Sequence, residues 1–341
     1  MANAGRGVRL SDVAKHAGVS AKTVSNVLHN HRYVSERTRQ TVEASLAALG
    51  YQVNLSARAL ASRQTGFIGL AIPGLDNPYY AEMASHVMDA AAEHGWVVLI
   101  EQTRSSEALE GGAVRGPASY LVDGLILQPD SVSESVLTDR FAHKNLVLIG
   151  QGHSSGSADH VSGDPVSAAR DLVEHLIAQG RTRIATIGVV PHDRPDMSEM
   201  RYRGAYQAME QAGLEVRPDY LVSIQRYRRP DGAEAADRLL ALPEPPDAIV
   251  CVNDLVGSGV LTRLRERGVA VPAEIAVAGF DNNEESQFTS PPLTSIDWGI
   301  EEIARRCVDG LAARMKDPDG DHPPRRTVVK HKLVARESTI G

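Results

Sequence analysis

Cysteine is nearly absent from this chain: Cys251 and Cys307 are its only two in 341 residues, which excludes a disulfide framework and a cysteine metal site. Cys251 lies in an apolar strand-like run and Cys307 on a helix-like segment, so both read as buried thiols. Long hydrophobic runs are also missing. No stretch approaches the roughly 18 uninterrupted apolar residues of a membrane span, and the N-terminus MANAGRGVRL lacks the apolar segment of a signal peptide. The expected location is therefore cytoplasmic, with no membrane partner. No leucine heptads precede Gly341 to build a tetramer, so the favoured assembly is a homodimer. Neither a phosphate-cradling glycine loop nor HExxH occurs, and the chain reads as neither an enzyme nor a cofactor carrier. What remains is ordinary for a soluble globular protein: 42% hydrophobic and 23% charged residues, in a chain long enough for two or three domains with cores.

Acidic residues are scarce at one end only. Residues 1–63 hold nine Lys/Arg against three acids, a net of +6, whereas the other 278 residues hold 27 against 40, a net of −13. A basic head on an acidic body confines phosphate attraction to one end, because the body alone would be repelled by a duplex.

The basic end carries three short helical patterns. The first begins after Ser11, buries Val13, Ala14 and Ala17, and stops at Gly18. Val19 packs into the angle, and Ser20 caps a second helix running from Ala21 to Leu28. Val24, Val27 and Leu28 face inward at helical spacing, which turns Ala21, Lys22, Ser25 and Asn26 outward as candidates for base and phosphate contact. Ser35 caps a third helix, Glu36 to Leu49, which buries Val42, Leu46 and Leu49 and ends at Gly50. Helix, glycine turn, helix is the arrangement of a helix-turn-helix, though spacing alone fits any short amphipathic pair. Beyond it, Asn54 to Arg63 places Ala, Leu and Arg at helical positions where a plain linker would favour Gly, Pro and Ser.

From Thr65 the pattern alternates short apolar strands with amphipathic helices. The strands are Phe67–Ile72, Trp96–Ile100, Asp123–Leu127, Leu146–Ile149, Ile184–Gly188, Tyr220–Ile224, Ala248–Val252 and Ile275–Gly279. The helices are Tyr79–His94, Val166–Gln179, Ser198–Ala212, Gly232–Leu242 and Val256–Arg267. Between Ile100 and Asp123 the glycines and Pro117 predict a short or broken helix. Such alternation specifies an α/β fold with parallel sheets covered by helices, and its length suits two such units.

Val19-Ser20-x-x-Thr23-Val24-Ser25-x-Val27-Leu28, Val34-Ser35-x-x-Thr38-Arg39 and Leu49-Gly50-Tyr51 closely resemble the headpiece of the lactose-repressor/galactose-repressor (LacI/GalR) family of bacterial transcription regulators. Along the rest of the chain the resemblance rests on Asn77-Pro78-Tyr79-Tyr80, Val122-Asp123-Gly124, Ser198-x-x-Arg201-x-x-Gly204, Asn253-Asp254, Gly279-Phe280-Asp281-Asn282, Pro291 to Ile296 and Leu333 to Thr339. It implies a helix-turn-helix headpiece over 1–52 and a hinge helix over 53–64. The effector-binding and dimerisation core, 65–341, would have two periplasmic-binding-protein-like lobes, 65–179 with 297–326 and 180–296 with 327–341. The chain would cross between lobes near Gly180, Asp297 and Thr327. Operator DNA would be contacted by Ser11, Ser20, Ala21, Lys22, Thr23, Ser25, Asn26, His29 and Tyr33, and by Asn54, Ala57, Arg58 and Leu60 in the hinge. Leu60 would be the wedge that opens the minor groove. The family usually has Pro where Val53 stands and Arg where Asn26 stands; Asn pairs best with adenine, so a departure in half-site preference is expected there.

Ligands of open parallel α/β sheets bind beyond the C-terminal strand ends. With the family pattern, that rule selects Asp76, Tyr79, Tyr80, Arg201, Tyr227, Asn253 and Asp281 as effector-binding residues. An arginine, acids or amides and aromatic faces suit a sugar, and purines use a similar set. Met197 departs from the family pattern, which leaves specificity there untransferable. The competing reading is a cytoplasmic α/β enzyme or small-molecule-binding module whose basic head is incidental.

Overall fold

The computed structural model describes residues 8–28, 33–51, 64–138, 145–150, 158–189, 196–317 and 323–341. It comprises two compact units, residues 1–65 and 66–341. In the first, α1 (Leu10–Ala17), α2 (Ala21–Leu28) and α3 (Glu36–Leu49) enclose a small core of Val13, Ala14, Val24, Val27 and Val42. Burial of such side chains contributes roughly 1–3 kcal/mol each. Leu46 and Leu49, expected inside, are half-buried, because three helices this short have too little volume to enclose them. Gly18 (φ 66°) and Gly50 (φ 58°) adopt the left-handed conformation that ends α1 and α3. Ser35 accepts the Thr38 N–H at 3.3 Å, as the capping pattern predicts. Ser11 does not cap α1. The helix begins earlier, and the Arg9 N–H instead donates to Asp12 Oδ2 at 2.8 Å, so a first-turn acid ties down the start.

The second unit is α/β. Its first sheet contains β1 (Phe67–Ile72), β2 (Val97–Gln102), β3 (Gly124–Leu127), β4 (Leu146–Ile149), β5 (Asp159–Ser162) and β11 (Arg326–Val328), in the order β11-β5-β4-β3-β1-β2 and all parallel. The second contains β6 (Ile184–Ile187), β7 (Leu221–Val222), β8 (Ala248–Cys251), β9 (Ala276–Phe280), β10 (Thr294–Asp297) and an antiparallel edge, β12 (Lys332–Val334), in the order β12-β10-β9-β8-β6-β7. Half of these strands, the central ones, are buried along their whole length, as strands covered on both faces must be. β2 is an exception, an edge strand with Val97, Leu99 and Ile100 exposed.

The helices of this unit are α4 (Pro78–Glu93), α5 (Glu107–Arg115), α6 (Glu134–Thr138), α7 (Pro165–Ala178), α8 (Met197–Gln211), α9 (Arg229–Leu240), α10 (Asp254–Glu266) and α11 (Ile300–Lys316). α5 is short and ends at Gly116, with a separate 3-10 turn at Pro117–Leu121, so the weak segment breaks where its glycine and proline stand. α4 and α11 pack together, with α11 lying on β3, β4 and β5; α7 packs on α8 and against β10 and β12. The first passage between lobes therefore comes at 163–164, between β5 and α7, and not near Gly180. The apolar stripe of α7 demanded a partner without saying which sheet supplied it. The other passages lie at 298–299 and 329–331. No helix among the described residues is long and apolar enough to cross a membrane.

Candidate functional site

On the first unit, α2 is pinned at its start by Ser20, whose Oγ accepts the Thr23 N–H at 3.0 Å and shares a 2.8 Å hydroxyl contact with Thr23. With Val24 and Val27 inside, Ala21 and Lys22 are exposed and Thr23, Ser25 and Asn26 are half-buried along the flank. Tyr33, 97% exposed, and Ser11 are also on the surface. The face can thus offer a cation, an amide and hydroxyls to a groove. His29, Asn54, Ala57, Arg58 and Leu60 lie outside the described residues.

In the second unit the C-terminal ends of the two sheets face a cleft. Tyr79, Tyr80, Arg201, Tyr227, Asn253 and Asp281 all line it, brought together from both lobes. Tyr79 and Tyr80 follow β1 at the start of α4 and meet edge to face, with centroids 5.2 Å apart. Desolvation holds both hydroxyls above the usual tyrosine range; Asp281 adds to this at Tyr79, and Tyr79 and Asp130 add to it at Tyr80.

Arg201, on α8, is 1% exposed. Its Nη1 donates to the Val252 carbonyl, and its Nη2 lies 3.8 Å from Asp281 Oδ1. Its guanidinium carbon sits 4.2 Å from the Phe280 ring centroid and 5.2 Å from that of Trp298. Gly204, one turn later, lets α8 lie close to α7, since a Cβ there would meet the Val166 carbonyl oxygen at 2.0 Å. The Ser-x-x-Arg-x-x-Gly spacing is thus a packing requirement that fixes the depth of the arginine.

Asp281 follows β9 with φ 106°, a conformation that side chains rarely adopt and that costs on the order of 1–3 kcal/mol. The strain is held by its own N–H, bonded to the Ile296 carbonyl at 2.9 Å, and by the Asn282 N–H, bonded to Ser295 Oγ at 2.9 Å. Burial pushes the Asp281 carboxyl up to about 6 although Arg201 and the Trp298 N–H both favour its charged form, and Glu82 raises it further.

Asn253 proves to be the cap of α10, its Oδ1 accepting the Val256 N–H at 2.9 Å while its Nδ2 donates to the Tyr227 carbonyl at 3.3 Å. Asp254, the next residue, is buried behind the cleft. It accepts from Ser286 Oγ and Ser295 Oγ, each at 2.6 Å, and from the Asn283 N–H at 3.1 Å. Burial, reinforced by Asp281, pushes it up to about 8. Asp76 departs from its expected place: it does not line the cleft but pairs at the surface with Arg228 of the other lobe.

Sequence reasoning missed Gln128, Gly150, Ser162 and Trp298 on the cleft wall. Gln128 and Gly150 directly follow β3 and β4, whose apolar runs are plain in the sequence, so the strand-end rule that selected Asn253 and Asp281 reaches them as well; Ser162 and Trp298 stand at the end of β5 and just after β10, strands that the sequence does not show.

A helix-turn-helix unit on the same chain as a two-lobed core with a deep polar and aromatic cleft defines a DNA-binding regulator with a ligand-binding core. Comparison with known proteins gives its family. Residues 9–54 match the model for bacterial regulatory proteins of the lacI family, and residues 173–339 match the periplasmic binding protein-like domain. The chain is 38% identical to a LacI-family transcriptional regulator of Sanguibacter keddieii whose structure is solved, covering 81% of this chain and 99% of that one with a TM-score of 0.75. The lac repressor dimer bound to operator and the anti-inducer ONPF superposes with a TM-score of 0.82, at 26% identity over 98% of this chain and 100% of that one. The HTH-type transcriptional repressor PurR of Photobacterium profundum is 28% identical over 96% of this chain and 98% of its own length. The chain belongs to the LacI/GalR family of bacterial transcription regulators.

Proposed function

We propose that this protein is a cytoplasmic repressor that binds a near-palindromic operator as a homodimer, and that a small ring-shaped ligand in the cleft sets its DNA affinity. The observation that carries this reading is the buried Arg201–Asp281 pair in a cleft lined by tyrosines, on the same chain as a basic helix-turn-helix unit. Two-fold protein symmetry demands a matching operator. The dimer is supported by the lac repressor relative and by the exposed apolar edge of β2, which a second copy would cover. In this reading Ser11, Ser20, Ala21, Lys22, Thr23, Ser25, Asn26, His29 and Tyr33 meet the operator. By the same family resemblance, residues 53–64 would be the hinge helix that carries Asn54, Ala57 and Arg58 to the minor groove, with Leu60 as its wedge.

Tyr79, Tyr80 and Tyr227 supply ring faces while Asp281, held by Arg201, supplies a polar partner, an arrangement suited to a sugar-like ring. A purine is the second candidate, favoured by the PurR relatives. A gel-shift titration with DNA from upstream of the gene tests the reading. Binding that weakens steeply between 50 and 200 mM salt, on the order of a thousandfold if six or more phosphates are contacted, is expected. Absence of a shift at low salt, with and without a cell extract as ligand source, would leave the small-molecule-binding module as the better account.

A further inference from the structure

Every charged group on the cleft wall touches a single tryptophan. Trp298 stands just after β10, 4% exposed, where the chain passes from the second lobe to α11. Its indole N–H donates to Asp281 Oδ1 at 3.2 Å. Its ring lies nearly parallel to Phe280, with centroids 6.0 Å apart, and 5.2 Å from the Arg201 guanidinium carbon. Arg201 is the one cation lining the cleft among the described residues. Its Nη1 is taken by the Val252 carbonyl, its Nη2 faces Asp281, aromatic rings flank it, and its Nε is buried without an acceptor.

The arginine that would otherwise offer its charge to a ligand is therefore neutralised within the wall. The groups around it are acidic. Glu82 acts on Asp281, and Asp130 and Asp196 are within electrostatic reach of Tyr227. An anion entering this space would lose its hydration and meet a field of its own sign. An uncharged ring loses little, and its hydroxyl or N–H groups meet the Asp281 carboxylate.

We infer that Trp298 is the specificity-determining residue of the cleft: by fixing Asp281 and covering Arg201 it holds them as a charge-balanced wall that admits an uncharged, hydrogen-bond-donating ring and excludes phosphorylated or carboxylated ligands. This rests on the cleft being the ligand site. The test dialyses the full-length protein against a neutral aqueous extract of bacterial cells and identifies retained compounds by mass spectrometry. The affinity of the retained compound is then measured for wild type, Trp298→Phe and Trp298→Gln, with DNA binding by each variant as the check on folding. Uncharged compounds should be retained. Phe keeps a ring on Phe280 but removes the donor, and should weaken binding at least tenfold; Gln, whose amide can donate to Asp281, should recover part of the loss. Retention of anionic compounds, or a Phe variant within twofold of wild type, overturns the inference. Retention of nothing overturns it together with the ligand reading beneath it, which separates the two failures.

Discussion

Alanine in place of Gly204 should loosen the second lobe, whereas the same substitution at Gly112 should tighten the first. Gly204 lies on α8 against α7, and an added Cβ would stand 2.0 Å from the Val166 carbonyl oxygen and 3.1 Å from the Ala169 Cβ. Backbone cannot swing aside as a side chain can, so the two helices must separate. Ala168, Ala169 and Leu172 then lose contact with Ala205, Ala208 and Met209. Overpacking of this kind typically costs 1–3 kcal/mol, and a clash with backbone belongs at the upper end, about 3 kcal/mol. Alanine in a helix returns roughly 0.5–1 kcal/mol relative to glycine. The net is about 2 kcal/mol of destabilisation, or about 4–8 °C in Tm for a unit of this size. At Gly112 on α5 a Cβ meets nothing within 4 Å, so only the helical gain remains and Tm should rise by about 1–3 °C. Thermal melts followed by far-UV circular dichroism and by tryptophan fluorescence measure both. Shifts of the same sign would refute the close-packing argument for α7 and α8.

Acidity should act on stability in two opposing ways. Asp254 and Asp281 keep their protons up to about 8 and about 6 in the fold, against about 4 in an unfolded chain. The folded form binds more protons throughout that interval, so stability should fall as pH rises from about 5 to 8 and return on acidification. Asp254→Asn should flatten most of that slope in urea titrations across pH; an unchanged slope would contradict the assignment. Burial raises Asp159, but two hydrogen bonds from Arg314, at 2.7 and 2.8 Å, and one from the Arg325 N–H outweigh it and leave its pKa lowered. Its stabilisation is therefore present at neutral pH and is lost as pH falls below the usual carboxylate range. Arg314→Met strands that carboxylate and should cost about 3 kcal/mol at pH 7, read from the same titrations. Lys22→Ala should weaken DNA binding about equally on all sequences and reduce the salt slope by about 1. Asn26→Arg should move the preferred base in a selected half-site from adenine toward guanine; identical selected sequences would contradict that role.

The headpiece was legible because its signals are local. Ser20, Ser35, Gly18 and Gly50 mark boundaries through hydrogen bonds and backbone angles within one turn, and the structure places α2 and α3 between them. Ser11 misled because a hydroxyl before an apolar pattern looks like a cap, while the acid at Asp12 performs that task. β1 and β4 were plain as apolar runs. β5 was not, because Asp159, His160 and Ser162 are buried through long-range partners: Asp159 on Arg314 and His160 on the Gly150 carbonyl. Without β5, the first passage between lobes could not be located, and Ser162 could not be counted as a strand end. Trp298 was hidden for a similar reason, since Thr294 and Ser295 make β10 look polar although both are fully buried. Arg201 and Asp281 came from the family pattern. Their mutual distance and shared partner Trp298 are tertiary facts that no spacing encodes.

Thermodynamic coupling of ligand binding in the cleft to DNA binding is what the proposed function requires. Its most direct test is the affinity of the full-length protein for its selected operator, measured by fluorescence anisotropy at fixed salt, with and without a saturating amount of the compound retained in the cleft. Coupling requires a change of at least about fivefold, on the order of 1 kcal/mol, and an equal change in the compound's affinity when operator is present. Identical operator affinities with the cleft filled and free would contradict the account.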